Sequence, residues 1–226
     1  MLPPPSFLPS FHRFCLTSLQ GKSGAVVAGA KRSWLSGASQ GCAFASGGED
    51  GLVHLWQKAD ATLGASAGFK VVESLSGHEG CVYSLTTLHD GTLVSGGQDH
   101  TIVMWREGRC VRILTEHTKE VYCLVTLNAV SFASGSGDMT ICTWNNDGIL
   151  LNRLADHIGP VLALVTMPGG NFASGSSDKV IRVWEDSGNC VAALKGHTDP
   201  VSCLACLADG TLISGSDDKT IRLWRS

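Results

Sequence analysis

Residues 214–224 read SGSDDKTIRLW, and the frame S-x-x-x-D-x-x-x-x-x-W stands three more times, as SGGQDHTIVMW (95–105), SGSGDMTICTW (134–144) and SGSSDKVIRVW (174–184). Ahead of these frames stand His78, His117, His157 and His197, spaced 39, 40 and 40 residues apart. Ser95, Ser134, Ser174 and Ser214 each follow their histidine by 17 residues, and Asp99, Asp138, Asp178 and Asp218 come four later. Trp105, Trp144, Trp184 and Trp224 close the copies, each 27 residues after its histidine. One spacing kept through four copies marks a repeat architecture, in which each supersecondary unit stacks on the next.

Each copy carries the same strand signals. VYSLTTL, VYCLVTL, VLALVTM or VSCLACL comes first, a Gly-containing or polar turn follows, and then TLVSG, SFASG, NFASG or TLISG. The Asp turn leads to TIVMW, TICTW, VIRVW or TIRLW, and runs such as RCVRIL and NCVAAL precede the next histidine. Short β-branched and aromatic runs, punctuated by Gly and Asp turns, predict antiparallel sheet with little helix. Four strands in a unit of about 40 residues make one blade of a β-propeller.

Ser, His and Asp recurring together also invite a nucleophilic reading, since a base could take the hydroxyl proton and an acid orient the base. The set occurs four times, however, a tryptophan accompanies each, and no glycine-rich nucleophile elbow surrounds any copy. The sequence therefore predicts buried hydrogen-bond networks and no enzyme. Such polar sets are tolerated inside a protein when every member is satisfied.

The GH, EH or DH pair opening each unit and the S-x-x-x-D-x-x-x-x-x-W frame closing it resemble the WD-repeat family over essentially all of the chain beyond residue 13. The usual aspartate after tryptophan is absent: Gln57, Arg106, Asn145, Glu185 and Arg225 stand there. The resemblance implies an all-β propeller over residues 14–226, behind a Pro-rich, disordered segment at 1–13. It also implies that the four polar sets tie each blade together and that ligands bind at the face carrying the His and Asp loops.

A worn first copy precedes the four. SGGEDGLVHLW (46–56) keeps Ser46, Asp50 and Trp56, with Lys22 at the place of the histidine, so its network is expected to be incomplete. ADATLGASAG, residues 59–68, reads as a surface insertion of small residues. FCLTSL (14–19) matches the outer strand of a copy: Cys15 and Leu19 precede Lys22 as Cys190 and Leu194 precede His197. The expectation is a five-bladed ring in which this strand completes the last blade and removes a free sheet edge. The alternative is an open piece of a larger propeller.

Composition bounds the rest. The chain has 226 residues, 43% of them hydrophobic and 16% charged, ample for a core. Net charge is −3, yet residues 1–48 hold Arg13, Lys22, Lys31 and Arg32 and no acid, so the remainder carries −7. The acid-free segment faintly resembles a transit peptide. No basic stripe with interleaved aromatics is present, which argues against a nucleic-acid or ribonucleoprotein partner, the second reading of the chain. No run of 18 apolar residues suggests a membrane span. Nine cysteines recurring on predicted strands (Cys15, Cys110 and Cys190; Cys123 and Cys203) read as small buried residues of a cytoplasmic or nuclear protein. Cys203 and Cys206 form a C-x-x-C, but residues three apart on a strand face opposite ways, so neither metal nor cofactor is expected.

Function is expected at the positions that vary inside the constant frame. Tyr83, Tyr122, Leu162 and Ser202 share one place in the first strand, and by the resemblance line the mouth of the channel. His100, Met139, Lys179 and Lys219 follow the Asp turns, and Lys119, Glu120, Asp199 and Asp217 lie in nearby loops. The two tyrosines, with Lys119, Glu120, His100 and Met139, form an amphipathic set suited to a protein or peptide ligand. The connection WREGRCVRILTEH (105–117) resembles the propeller of the phospholipase-A2-activating-protein family, which would imply ubiquitin binding. The expected role is a non-catalytic scaffold or adaptor, as a monomeric module or a subunit of a larger assembly.

Overall fold

In the computed structural model residues 24–27, 43–58 and 68–225 are described. Residues 1–13, the 14–19 strand, Lys22 and nearly all of the 59–68 insertion lie outside them.

Five antiparallel sheets follow one another along the chain. Sheet I joins β1 (Gly24–Val27), β2 (Ala43–Gly48), β3 (Leu52–Lys58) and β4 (Phe69–Ser76). Sheet II joins β5 (Val82–Thr87), β6 (Leu93–Gly97), β7 (Ile102–Arg106) and β8 (Arg109–Leu114). Sheet III holds β9 (Val121–Thr126), β10 (Ser131–Ser136), β11 (Ile141–Asn145) and β12 (Leu150–Leu154). Sheet IV holds β13 (Val161–Thr166), β14 (Phe172–Ser176), β15 (Val180–Trp184) and β16 (Cys190–Lys195). Sheet V has three strands among the described residues, β17 (Val201–Cys206), β18 (Leu212–Ser216) and β19 (Ile221–Trp224). A single 3-10 turn at Pro168–Gly170 is the one helical element among the described residues.

Alternation places each core. Side chains along a strand point to opposite faces, so every sheet has an outgoing face toward the next sheet and an incoming face toward the previous one. Val94, Ile102 and Met104 leave sheet II and meet Phe132, Cys142 and Trp144 of sheet III in one cluster. Ala133 and Ile141 then meet Val161, Phe172 and Trp184, and the same arrangement joins sheets I to II and IV to V. Gly47, Gly96, Gly135 and Gly175 stand where sheets come closest: a Cβ there would run into Val82, Val121, Val161 or Val201 of the following sheet.

Two irregularities repeat. The middle strand shifts register against the outer one just before the tryptophan, at Leu55/Trp56, Met104/Trp105, Thr143/Trp144 and Val183/Trp184. A second shift lies on the innermost strand. Val82 and Ser84 pair with adjacent residues Gly97 and Gly96, so Tyr83 is the extra residue that the register skips. Tyr122, Leu162 and Ser202 are skipped in the same way. A bulge of this kind bends the strand and re-aims the side chain it releases.

The cysteine expectation needs correction. Cys123 and Cys142 are buried, but Cys110, Cys190 and Cys203 are exposed. Cys110 and Cys190 lie on outer strands that are largely solvent-facing, and Cys203 lies on the outgoing face of sheet V, which no described residue covers.

The closed ring is not seen among the described residues. Ile102, Ile141 and Ile181, on outgoing faces, are 1%, 0% and 0% exposed, whereas Ile221 at the same repeat position is 74% exposed. Among the described residues, nothing packs on the outgoing face of sheet V or the incoming face of sheet I.

Candidate functional site

Each Ser/His/Asp/Trp set closes into one hydrogen-bond chain. In sheet II the Trp105 indole donates to Ser95 Oγ at 2.8 Å, Ser95 meets His78 Nε2 at 2.7 Å, and His78 Nδ1 lies 3.0 Å from both Asp99 oxygens. Sheets III, IV and V repeat this geometry through Ser134–His117–Asp138, Ser174–His157–Asp178 and Ser214–His197–Asp218. Each aspartate also accepts the backbone N–H after the histidine, from Glu79, Thr118, Ile158 or Thr198. All four serines are fully buried, so no substrate reaches their hydroxyls. These sets tie the histidine loop, the middle strand and the Asp turn into one unit.

The sequence reading missed one member. Thr101, Thr140 and Thr220 donate to the Asp turn carboxylates at 2.9, 2.7 and 2.6 Å. Their signal is visible as Asp-x-Thr. In sheet IV Val180 takes this place and the Arg182 guanidinium approaches Asp178 at 3.7 Å instead. Sheet I keeps half of the chain: Trp56 donates to Ser46 at 2.8 Å, and His54, two residues before Trp56 on β3, engages Asp50 at 3.2 Å.

Burial alone would raise the Asp99, Asp138 and Asp178 carboxyls, but hydrogen bonds from the histidines, threonines and backbone amides hold all three below the usual carboxylate range. Burial, with Arg182 nearby, holds His157 below its ordinary value, so it is neutral at pH 7. The folded state therefore binds fewer protons than the unfolded chain below about pH 6.5 for His157 and below about pH 4 for the aspartates. Urea midpoints measured against pH are expected to hold level above pH 6.5, decline gently below it, and fall steeply below pH 4. A midpoint that is flat down to pH 3 would contradict this assignment.

The variable positions lie outside these hydrogen-bond chains. The bulges bring Tyr83 and Tyr122 together across sheets II and III, with ring centroids 5.5 Å apart and both rings half-buried. Gly137 makes room beside them: a Cβ there would lie 3.0 Å from Glu120 Oε2 and 3.2 Å from Tyr122. Lys119 is exposed next to Glu120, and Met139 lies two residues beyond Gly137. His100, Met139, Lys179 and Lys219 all have left-handed backbone, with φ of 68–71° except Lys219 at 67°. Non-glycine residues adopt this conformation only at a cost, and Gly51 fills the place in sheet I. All four point their side chains into solvent.

Lys179 and Lys219 do not join the tyrosines. Lys179 pairs with Asp199 of the next sheet at 3.8 Å, while Lys219 and Asp217 are exposed on sheet V. Leu162 is buried and Ser202 half-buried, so the tyrosine pairing ends at sheet III. Ile158 was not singled out by sequence. It is 83% exposed in a loop where the other copies have Glu79, Thr118 and Thr198, and that break in polarity is its readable signal.

Among the described residues no group of three or more His, Cys, Asp or Glu side chains is placed to hold a metal ion. Among the described residues no helix is long and apolar enough to cross a membrane.

The profile described as "WD domain, G-beta repeat" matches residues 69–106, 108–145, 148–185 and 188–225. The fold is similar to that in the "Crystal structure of WD40 beta propeller domain of Doa1", with a TM-score of 0.69 and 21% sequence identity. The match covers 82% of this chain and 61% of that one. No curated protein sequence matches the chain.

Proposed function

Because the chain belongs to the WD40 family, whose profile matches it over more than half its length, we propose that it is a non-catalytic interaction scaffold. The ligand is a peptide or folded protein domain bound where the histidine loops and Asp turns emerge. WD40 propellers generally act in this way and generally perform no chemistry. The observation that carries the reading is the pair of bulge-released tyrosines, 5.5 Å apart and half-exposed, beside Glu120 and Lys119. Aromatic rings with a polar tip supply much contact area at little entropic cost, and such residues dominate interface energetics. His100 and Met139 are exposed on left-handed Asp turns of the same two sheets.

Ubiquitin is the first ligand to titrate. What supports it is the resemblance of the WREGRCVRILTEH connection to phospholipase-A2-activating-protein propellers. Tyr83→Ala combined with Tyr122→Ala is expected to weaken binding of the captured ligand at least tenfold, about 1.4 kcal/mol or more. The melting temperature should change little, since both rings are half-exposed. A well-folded double variant that binds as tightly as the parent would move the site elsewhere on the propeller.

A further inference from the structure

Sheets I and V carry, on faces that no described residue covers, the two kinds of layer that pack together between the other sheets. On the outgoing face of sheet V, Ile221 and Leu223 are 74% and 60% exposed, while their counterparts Ile181 and Val183 in sheet IV are 0% and 9%. A Cβ on Gly215 would meet only Cys203 of its own sheet, whereas those on Gly47, Gly96, Gly135 and Gly175 would meet a valine of the following sheet. On the incoming face of sheet I, Phe44, Ser46 and Trp56 are partly exposed, while Phe132, Phe172, Trp144 and Trp184 are at most 1% exposed. Phe44 and Trp56 are nevertheless stacked, 5.6 Å apart, in the arrangement of Phe132 with Trp144 and Phe172 with Trp184. The apolar layer that leaves each sheet and the aromatic layer that receives it are therefore both present, and no described residue covers either.

We propose that these faces meet between copies. The outgoing face of sheet V of one molecule packs on the incoming face of sheet I of a second, head to tail. This contact rebuilds the inter-sheet core found four times within the chain. It is heterologous, joining two different surfaces, so association continues beyond a dimer unless the arrangement closes. The outer edge of β19, unpaired among the described residues, adds free backbone donors and acceptors beside it. The inference is independent of the tyrosine patch, which lies away from both end faces.

The test is sedimentation velocity of the full chain over a wide concentration range, alongside two variants. Ile221→Lys with Leu223→Lys blocks the outgoing face. These side chains are already mostly exposed, so the fold should tolerate the change, and circular dichroism checks this. Phe44→Lys blocks the incoming face. The parent should gain mass with concentration, each variant alone should associate at least tenfold more weakly, and an equimolar mixture should form a dimer and nothing larger. A parent that stays at one chain's mass overturns the proposal, and destabilisation of that monomer by the lysines would assign the faces to closure within one chain. Association that the lysines leave unchanged also overturns it.

Discussion

Replacing His157 with alanine is expected to lower the unfolding free energy by about 3–5 kcal/mol, the range for removing one partner of a buried ion pair or network. The His157 and Asp178 side chains are 1% and 2% exposed, and Ser174 is fully buried. Alanine at 157 strands a carboxylate that accepts 2.7 Å from the imidazole, and removes the acceptor facing the Ser174 hydroxyl. Arg182, 3.7 Å from Asp178, would be left to compensate in part. Sheet I supplies the control. His54 and Asp50 are 23% and 53% exposed, so His54→Ala should cost no more than about 1 kcal/mol. Urea denaturation at pH 7 separates the two, and equal costs would mean that the buried network contributes nothing beyond a surface contact.

The second large effect compares one residue type at one repeat position. Ile141→Ala removes a fully buried side chain from the core between sheets III and IV and should cost about 2–5 kcal/mol. Ile221→Ala, measured at concentrations where the chain is dissociated, should cost under about 0.5 kcal/mol, because the side chain is 74% exposed. If both cost the same in a monomeric sample, some part of the chain covers the end face. The comparison holds sequence context nearly constant, since both isoleucines follow a threonine in the frame that ends at tryptophan.

Much of the architecture was legible because the repeat is encoded locally. Short β-branched and aromatic runs marked the strands, and the Asp turns announced themselves by composition. The fixed offsets of histidine, serine, aspartate and tryptophan predicted chains that close at 2.7–2.9 Å in sheets III and IV. The threonines of the Asp turn are equally legible, as Asp-x-Thr in three of the four frames. The tyrosines are neighbours by repeat register, but their release by a bulge is not legible, since an extra residue in one strand shows only once the two strands are aligned in space. The left-handed backbone of His100, Met139, Lys179 and Lys219 was likewise hidden, because only Gly51 at that place carries the usual signature.

The sequence by itself determined the strand order, the repeat unit and the polar chain inside each of sheets II to V. Only the tertiary structure decided which of the repeated faces are covered. Ile181 and Ile221 occupy the same position in nearly the same eleven residues, and one is fully buried while the other is mostly exposed. Cys123 and Cys203 differ in the same way. The reason is physical: alternation along a strand specifies that a side chain leaves the sheet on a given side, through backbone geometry that is local. Whether water or another sheet meets it there depends on a surface contributed by residues some 40 positions away, and the last sheet has no such neighbour among the described residues.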